Sequence, residues 1–214
     1  MPKSAGTSFR VWLDTAFGAG LVLYDYTDRP LDPTAPMNVD PQVFLAEHST
    51  RTELPRGIEA VHGHFWARKY ERIERAFRMT FVRCPVERTI SHYFYWIKLP
   101  LHGHALHRRV VEDGYDLLSF ASLPEIRRCY TRCFFRDVDM STFDFIGDYA
   151  RLDAETLRLE TILGRRGTRA ERNSNQFPGY DEQRAELLGD AVLTAKLRAI
   201  LADDIRFYET HAGT

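Results

Sequence analysis

The sequence predicts an α/β domain with a mostly parallel central sheet. Three observations predict it: short β-leaning runs alternate with amphipathic helical stretches, two of these units read strand, loop, helix, and no internal repeat or low-complexity tract interrupts them. At 214 residues the chain suits one domain spanning residues 1–214. Hydrophobic residues at 44% and aromatics at 13% supply enough apolar surface to offset chain entropy, which excludes disordered and fibrous classes.

Along the chain, residues 7–17 place Phe9, Trp12, Leu13 and Ala16 on one helical stripe, opened by a loop at 2–6. Residues 21–26 form a β-leaning run, and the connection through Pro30, Pro33, Pro36 and Pro41 reads as irregular surface chain. Residues 58–61 are a second strand leading into His62-Gly63-His64, and 67–76 read as helix. Residues 78–83 have the composition of a buried strand; Cys84-Pro85 breaks it and sets proline at the first turn of a helix over 86–99. Helices are predicted at 116–121, 124–135, 154–163 and within 181–210, with a strand at 143–146. The basic stretch 165–175 is the expected mobile loop.

Charge and cysteine content narrow the function classes. Lys plus Arg number 29 against 30 Asp plus Glu, a net charge of −1, so no global field draws the chain to nucleic acid or an anionic membrane. Any anion must be held by a local site. Cys84, Cys129 and Cys133 cannot all pair and lack zinc-site spacing, which points to a reducing, cytoplasmic setting. The longest mostly apolar stretch, 17–24, falls far short of the ~20 residues a membrane span needs, so no membrane segment is expected in this sequence.

Two stretches carry chemistry. Pro2-Lys3-Ser4-Ala5-Gly6-Thr7-Ser8 stands at the mouth of a helix, where unpaired N–H groups, a glycine, hydroxyls and one lysine make a cradle for a phosphate-like anion. The plain alternative is a helix cap. A nucleoside-triphosphate loop sets its lysine after the last glycine, whereas Lys3 precedes Gly6, which disfavours ATP or GTP hydrolysis. Further on, Arg83 ends a strand, where ligands gather in open α/β sheets, and its planar fork suits a dianionic phosphate. Ser91 lies two turns into the next helix, sharing a face with Arg88, while Glu87 is placed to pair with a nearby base. Here the plain alternative is a strand-end ion pair and a solvated hydroxyl.

Together the two stretches resemble the sulfotransferases that use 3′-phosphoadenosine-5′-phosphosulfate (PAPS). The first is similar to their P-K-[ST]-[AG]-G-[ST]-[ST] loop for the 5′-phosphosulfate, and Arg83-x-Pro85-x-x-Arg88-x-x-Ser91-x-Tyr93 to their R-x-P-x-x-R-x-x-S-x-Y motif for the 3′-phosphate. His62-Gly63-His64 resembles the H-G-H of the uronosyl and heparan sulfate 2-O-sulfotransferase branch. Phe143 to Leu152 and Asp203 to Tyr208 are similar to two later stretches of that superfamily. The resemblance implies a P-loop-like three-layer fold and sulfuryl transfer from PAPS to an acceptor hydroxyl, expected on a carbohydrate, with no metal. His64 would be the general base, with His62 competing for the role, and Lys3 would stabilise charge on the departing phosphate. The N–H groups of Ala5, Gly6, Thr7 and Ser8, with the hydroxyls of Thr7 and Ser8, would hold the 5′-phosphate beside Ser4. Arg83 and Ser91 would hold the 3′-phosphate. In that fold a central strand feeds the loop; here Met1 abuts Pro2, so the first strand is expected to be missing from the sequence as written, and an upstream anchor stays open.

Other features have plainer readings. His102, His104 and His107 invite a metal, but the flanking Pro100, Gly103, Arg108 and Arg109 predict a cation-rich loop that would meet an anionic acceptor. Cys129 and Cys133 share a helix face and predict core packing. Tyr93 to Trp96 predict core and pocket wall rather than a nucleic-acid platform. Arg165, Arg166, Arg169 and Arg172 either reach the donor's 3′-phosphate or form a solvated loop. Two rival functions remain, a P-loop small-molecule kinase and a catalytically inactive nucleotide-binding module.

Overall fold

Parallel strands cannot be joined by a hairpin, so each parallel pair requires a long crossover, and the chain makes two. The computed structural model describes residues 1–101, 104–168 and 178–214. Strand β1 (Val22–Asp25) pairs with β2 (Ala60–Gly63), and β3 (Met79–Val82) with β4 (Phe145–Asp148). Among the described residues these are two separate two-stranded sheets, not the one central sheet that alternation predicts. Met1 packs on the cluster holding Val82 and Ile146, and burial, with a smaller contribution from the Met1 amine, lowers the basicity of His62 and His64 around the end of β2.

The helices begin where local chemistry starts them. Helix α1 (Gly6–Leu13) carries the predicted stripe, with Phe9, Trp12 and Leu13 buried against Val22, Phe81 and Phe145. The Pro-rich connection is not irregular throughout: α2 (Pro36–Val39) and α3 (Pro41–His48) each take proline in the first turn, and the Asp40 carboxylate caps α3 by accepting from Val43 N–H at 3.1 Å. The helix predicted at 67–76 is only a 3₁₀ turn, Ala67–Tyr70, because Lys69 and Tyr70 are drawn to Asp25 and Arg75 turns left-handed at φ 55°.

Helix α4 (Pro85–Lys98) starts as expected at Pro85. The cation-rich loop expected around His102–Arg109 is instead helical from Ala105, in α5 (Ala105–Glu112); His102 and Gly103 lie outside the described residues. His104 caps α5, and His107 is buried with Nε2 2.9 Å from the Trp96 carbonyl, so these histidines close a helix junction. Next come α6 (Leu117–Ser122) and α7 (Pro124–Arg127), and a π turn at Cys129–Phe134 splits the helix predicted at 124–135. Then α8 (Leu152–Leu163), α9 (Tyr180–Gly189), α10 (Ala191–Ile200) and α11 (Ala202–His211) complete the described chain. Among the described residues no helix is long and apolar enough to cross a membrane.

The interior of α4 ties the C-terminal helices down. Val86, Ile90 and Phe94 pack on Leu197, Leu201 and Ile205, each such side chain contributing about 1.5–3 kcal/mol on burial. Beside them Arg88 and Asp204 form a fully buried pair at 3.7 Å, and Asp204 also accepts from the N–H groups of Tyr130 and Thr131 at 2.9 and 3.1 Å. Arg88 is therefore a core residue rather than a ligand-facing partner of Ser91. Cys129 and Cys133 are buried in core packing, as their spacing predicts.

Candidate functional site

The loop before α1 is shaped by two non-glycine residues in the left-handed region, Lys3 at φ 59° and Ala5 at φ 65°. Such residues cost of order 1 kcal/mol each and persist where surrounding structure holds them, often at ligand clamps. Helix α1 then opens at Gly6 with no side-chain cap bond from Ala5, so the positive end of the helix dipole is left without a side-chain acceptor from its cap. Ser4 is buried, and its Oγ finds no hydrogen-bond partner among the described residues. Thr7 is exposed and Ser8 half-buried on the first turn.

Arg83 brings the second stretch to this loop. Its Nη1 donates to the carbonyl of Lys3 at 3.1 Å, and its guanidinium stacks on Tyr149 at 4.5 Å. Arg83 is 8% exposed, and its Nε lacks a hydrogen-bond partner among the described residues. Its backbone is clamped by Tyr130, whose hydroxyl accepts from Arg83 N–H at 2.9 Å and donates to Arg83 C=O at 2.6 Å. The Lys3 ammonium lies 4.5 Å from the centre of the Tyr95 ring. Burial, with the charge of Arg83 next, lowers its pKa to about 8.

The histidines enter from β2. A Cβ on Gly6 would lie 3.9 Å from His64 Nε2, so that nitrogen faces the loop. Gly63 permits this: a Cβ there would collide with the Asp25 carbonyl, which accepts from His64 N–H at 2.9 Å. Asp25 is held in turn by Lys69 Nζ at 2.6 Å and Tyr70 hydroxyl at 2.8 Å. Burial, then the Met1 amine and His62, lowers His64 to about 2, and burial with the same amine lowers His62 to about 4. Both are neutral at pH 7. His62 sits against Phe9 and Tyr24, and its Nδ1 is 3.2 Å from the exposed Tyr26 hydroxyl.

The predicted residues thus meet unequally. Lys3, Ser4, Gly6, His64 and Arg83 converge, and Ala5, Thr7 and Ser8 set the helix mouth; Ser91 is buried on α4, and His62 is turned to Tyr26. Arg165 does not reach the loop: it pairs with Glu59 at 2.8 Å and stacks on Phe17, beyond the far end of α1. Arg169 and Arg172 lie outside the described residues. Sequence reasoning missed Tyr130, Tyr149 and Asp25, whose roles depend on long-range packing, and Tyr26, for which a tyrosine four residues from β1's start was the only hint. Among the described residues no group of three His, Cys, Asp or Glu could hold a metal.

Fold and site define an α/β protein in which Lys3 and Arg83 meet at the mouth of a helix, overlooked by neutral histidine. No family model, no curated protein and no solved structure matches the chain.

Proposed function

We propose that this chain transfers a sulfuryl group from PAPS to an acceptor hydroxyl, on a carbohydrate, within a P-loop-like α/β domain. The observation that carries the reading is the meeting of Lys3, Arg83 and His64 Nε2 at one loop, although they are spread over residues 3–83. The enclosed Ser4 Oγ and Arg83 Nε, each lacking a hydrogen-bond partner among the described residues, suit a phosphorylated ligand that supplies acceptors. The donor supplies an activated sulfuryl group.

Every other part falls to the chain itself. The N–H groups at the start of α1 bind a phosphate, and Arg83 binds the second. Lys3 meets the negative charge that collects on the departing phosphate oxygen as its bond to sulfur breaks. His64 Nε2 takes the acceptor proton as the new sulfur–oxygen bond forms. Burial, the largest cause, keeps its basicity low in the unliganded chain, and the negative charge of a bound anion raises it. The free thiols Cys84, Cys129 and Cys133 support a reducing, cytoplasmic setting.

Titration calorimetry tests the reading. Magnesium-independent binding of adenosine 3′,5′-bisphosphate, with sulfated product formed from PAPS, supports it. A magnesium-dependent preference for ATP indicates a kinase instead, and binding without turnover indicates an inactive nucleotide module.

A further inference from the structure

Glu87 sits where an anion would be expected. Its Oε2 lies 2.7 Å from Arg184 Nη2 and 3.5 Å from Arg83 Nη2, so one carboxylate oxygen holds two guanidinium groups. Arg184 comes from α9, brought onto α4 by the packing of Tyr180 against Phe94 at 5.6 Å. The Nε atoms of Arg83 and Arg184 are both enclosed without a hydrogen-bond partner among the described residues, so this carboxylate satisfies the pair incompletely. The Glu87 side chain is 36% exposed and has water to move into.

We propose that Glu87 is an internal competitor that sets the affinity threshold of this anion seat: it occupies Arg83 and Arg184 until a ligand group carrying two negative charges displaces it with a net gain. A singly charged group would exchange one negative charge for another, gaining nothing while being desolvated. A doubly charged phosphate monoester adds one unit of attraction to two guanidinium forks and satisfies more of their donors. The preference comes from the attraction, while the internal competitor weakens every anion alike and leaves a singly charged group with no net gain. The identity of the nucleotide rests on the sulfuryl-transfer reading; the charge rule does not.

Calorimetry at pH 7.5 compares adenosine 3′,5′-bisphosphate with its 3′-methyl diester, which carries one charge at that phosphate. The wild type is expected to prefer the bisphosphate by about tenfold or more. Glu87→Gln should tighten both ligands by about tenfold, and Arg184→Gln should weaken the bisphosphate by about tenfold. Unfolding curves confirm that each variant folds, and Glu87→Ala replaces the glutamine variant if that one does not. The proposal is overturned if Glu87→Gln leaves both affinities unchanged, or weakens the bisphosphate as Arg184→Gln does, since Glu87 then only positions the arginines. If the wild type binds neither nucleotide, the sulfuryl-transfer reading fails. The same variants titrated at pH 8 with inorganic phosphate and with singly charged dimethyl phosphate then decide the charge rule by the same criteria.

Discussion

Arg83 and Lys3, 80 residues apart, are joined by a 3.1 Å hydrogen bond from the Arg83 guanidinium to the Lys3 carbonyl. That bond makes one cationic site of two sequence stretches, and it brings the Lys3 side chain under the influence of Arg83.

Lys3 therefore gives binding and stability opposite pH dependences. Its folded pKa of about 8 lies below the ordinary 10.5, so between those values the unfolded chain holds more protons and the unliganded protein gains stability as pH rises. Affinity for adenosine 3′,5′-bisphosphate should do the reverse, falling above about pH 8 as the ammonium is lost. Calorimetry from pH 7 to 10 checks this, and Lys3→Met should flatten both trends.

His64→Ala should lower turnover by about 100-fold or more, the ordinary contribution of a positioned base, while changing donor affinity little. Steady-state rates and binding titrations separate the two effects. Full activity in this variant would move the base role to His62, whose Nδ1 already meets Tyr26.

Tyr130→Phe removes one hydroxyl that serves both the N–H and the C=O of Arg83. Leaving those buried groups unpaired should cost about 1–3 kcal/mol of stability by urea unfolding. Donor affinity should fall with it, because the backbone that aims Arg83 is released. An unchanged unfolding midpoint would show that the clamp is dispensable.

Asp204→Ala strips the buried Arg88 of its charge partner and the N–H groups of Tyr130 and Thr131 of their acceptor. A loss of about 3–5 kcal/mol is expected. Joint replacement, Arg88→Met with Asp204→Leu, should recover part of it, measured as a double-mutant cycle.

Acid should unfold the chain early. His62 and His64 have folded pKa values of about 4 and 2 against 6.5 unfolded, and the buried His92 is also lowered well below 6.5. The unfolded chain takes up protons first, so stability present above pH 6.5 is lost as pH falls through 6.5 toward 4. Each fully coupled histidine contributes a slope of up to about 1.4 kcal/mol per pH unit. His64→Gln should reduce that slope in urea midpoints measured from pH 7 to 5.

The sequence by itself determined the α/β class, the stripe of α1, the start of α4 at Pro85, the strand positions to within two residues, and the two basic stretches that meet at the mouth of α1. These depend on local periodicity and on proline and glycine chemistry, which short windows express. The signals at Asp40-Pro41 and in the Leu106 and Val110 stripe were equally local, and the density of proline and of histidine hid them. Only the tertiary structure decided that the strands form two sheets, that Arg88 belongs to the core, that Arg165 turns to Glu59, and that Glu87 bridges Arg83 to Arg184. A charged side chain takes its role from whichever opposite charge the fold carries within a few ångströms of it, and partners such as Glu87 and Arg184, 97 residues apart, leave no trace in local pattern.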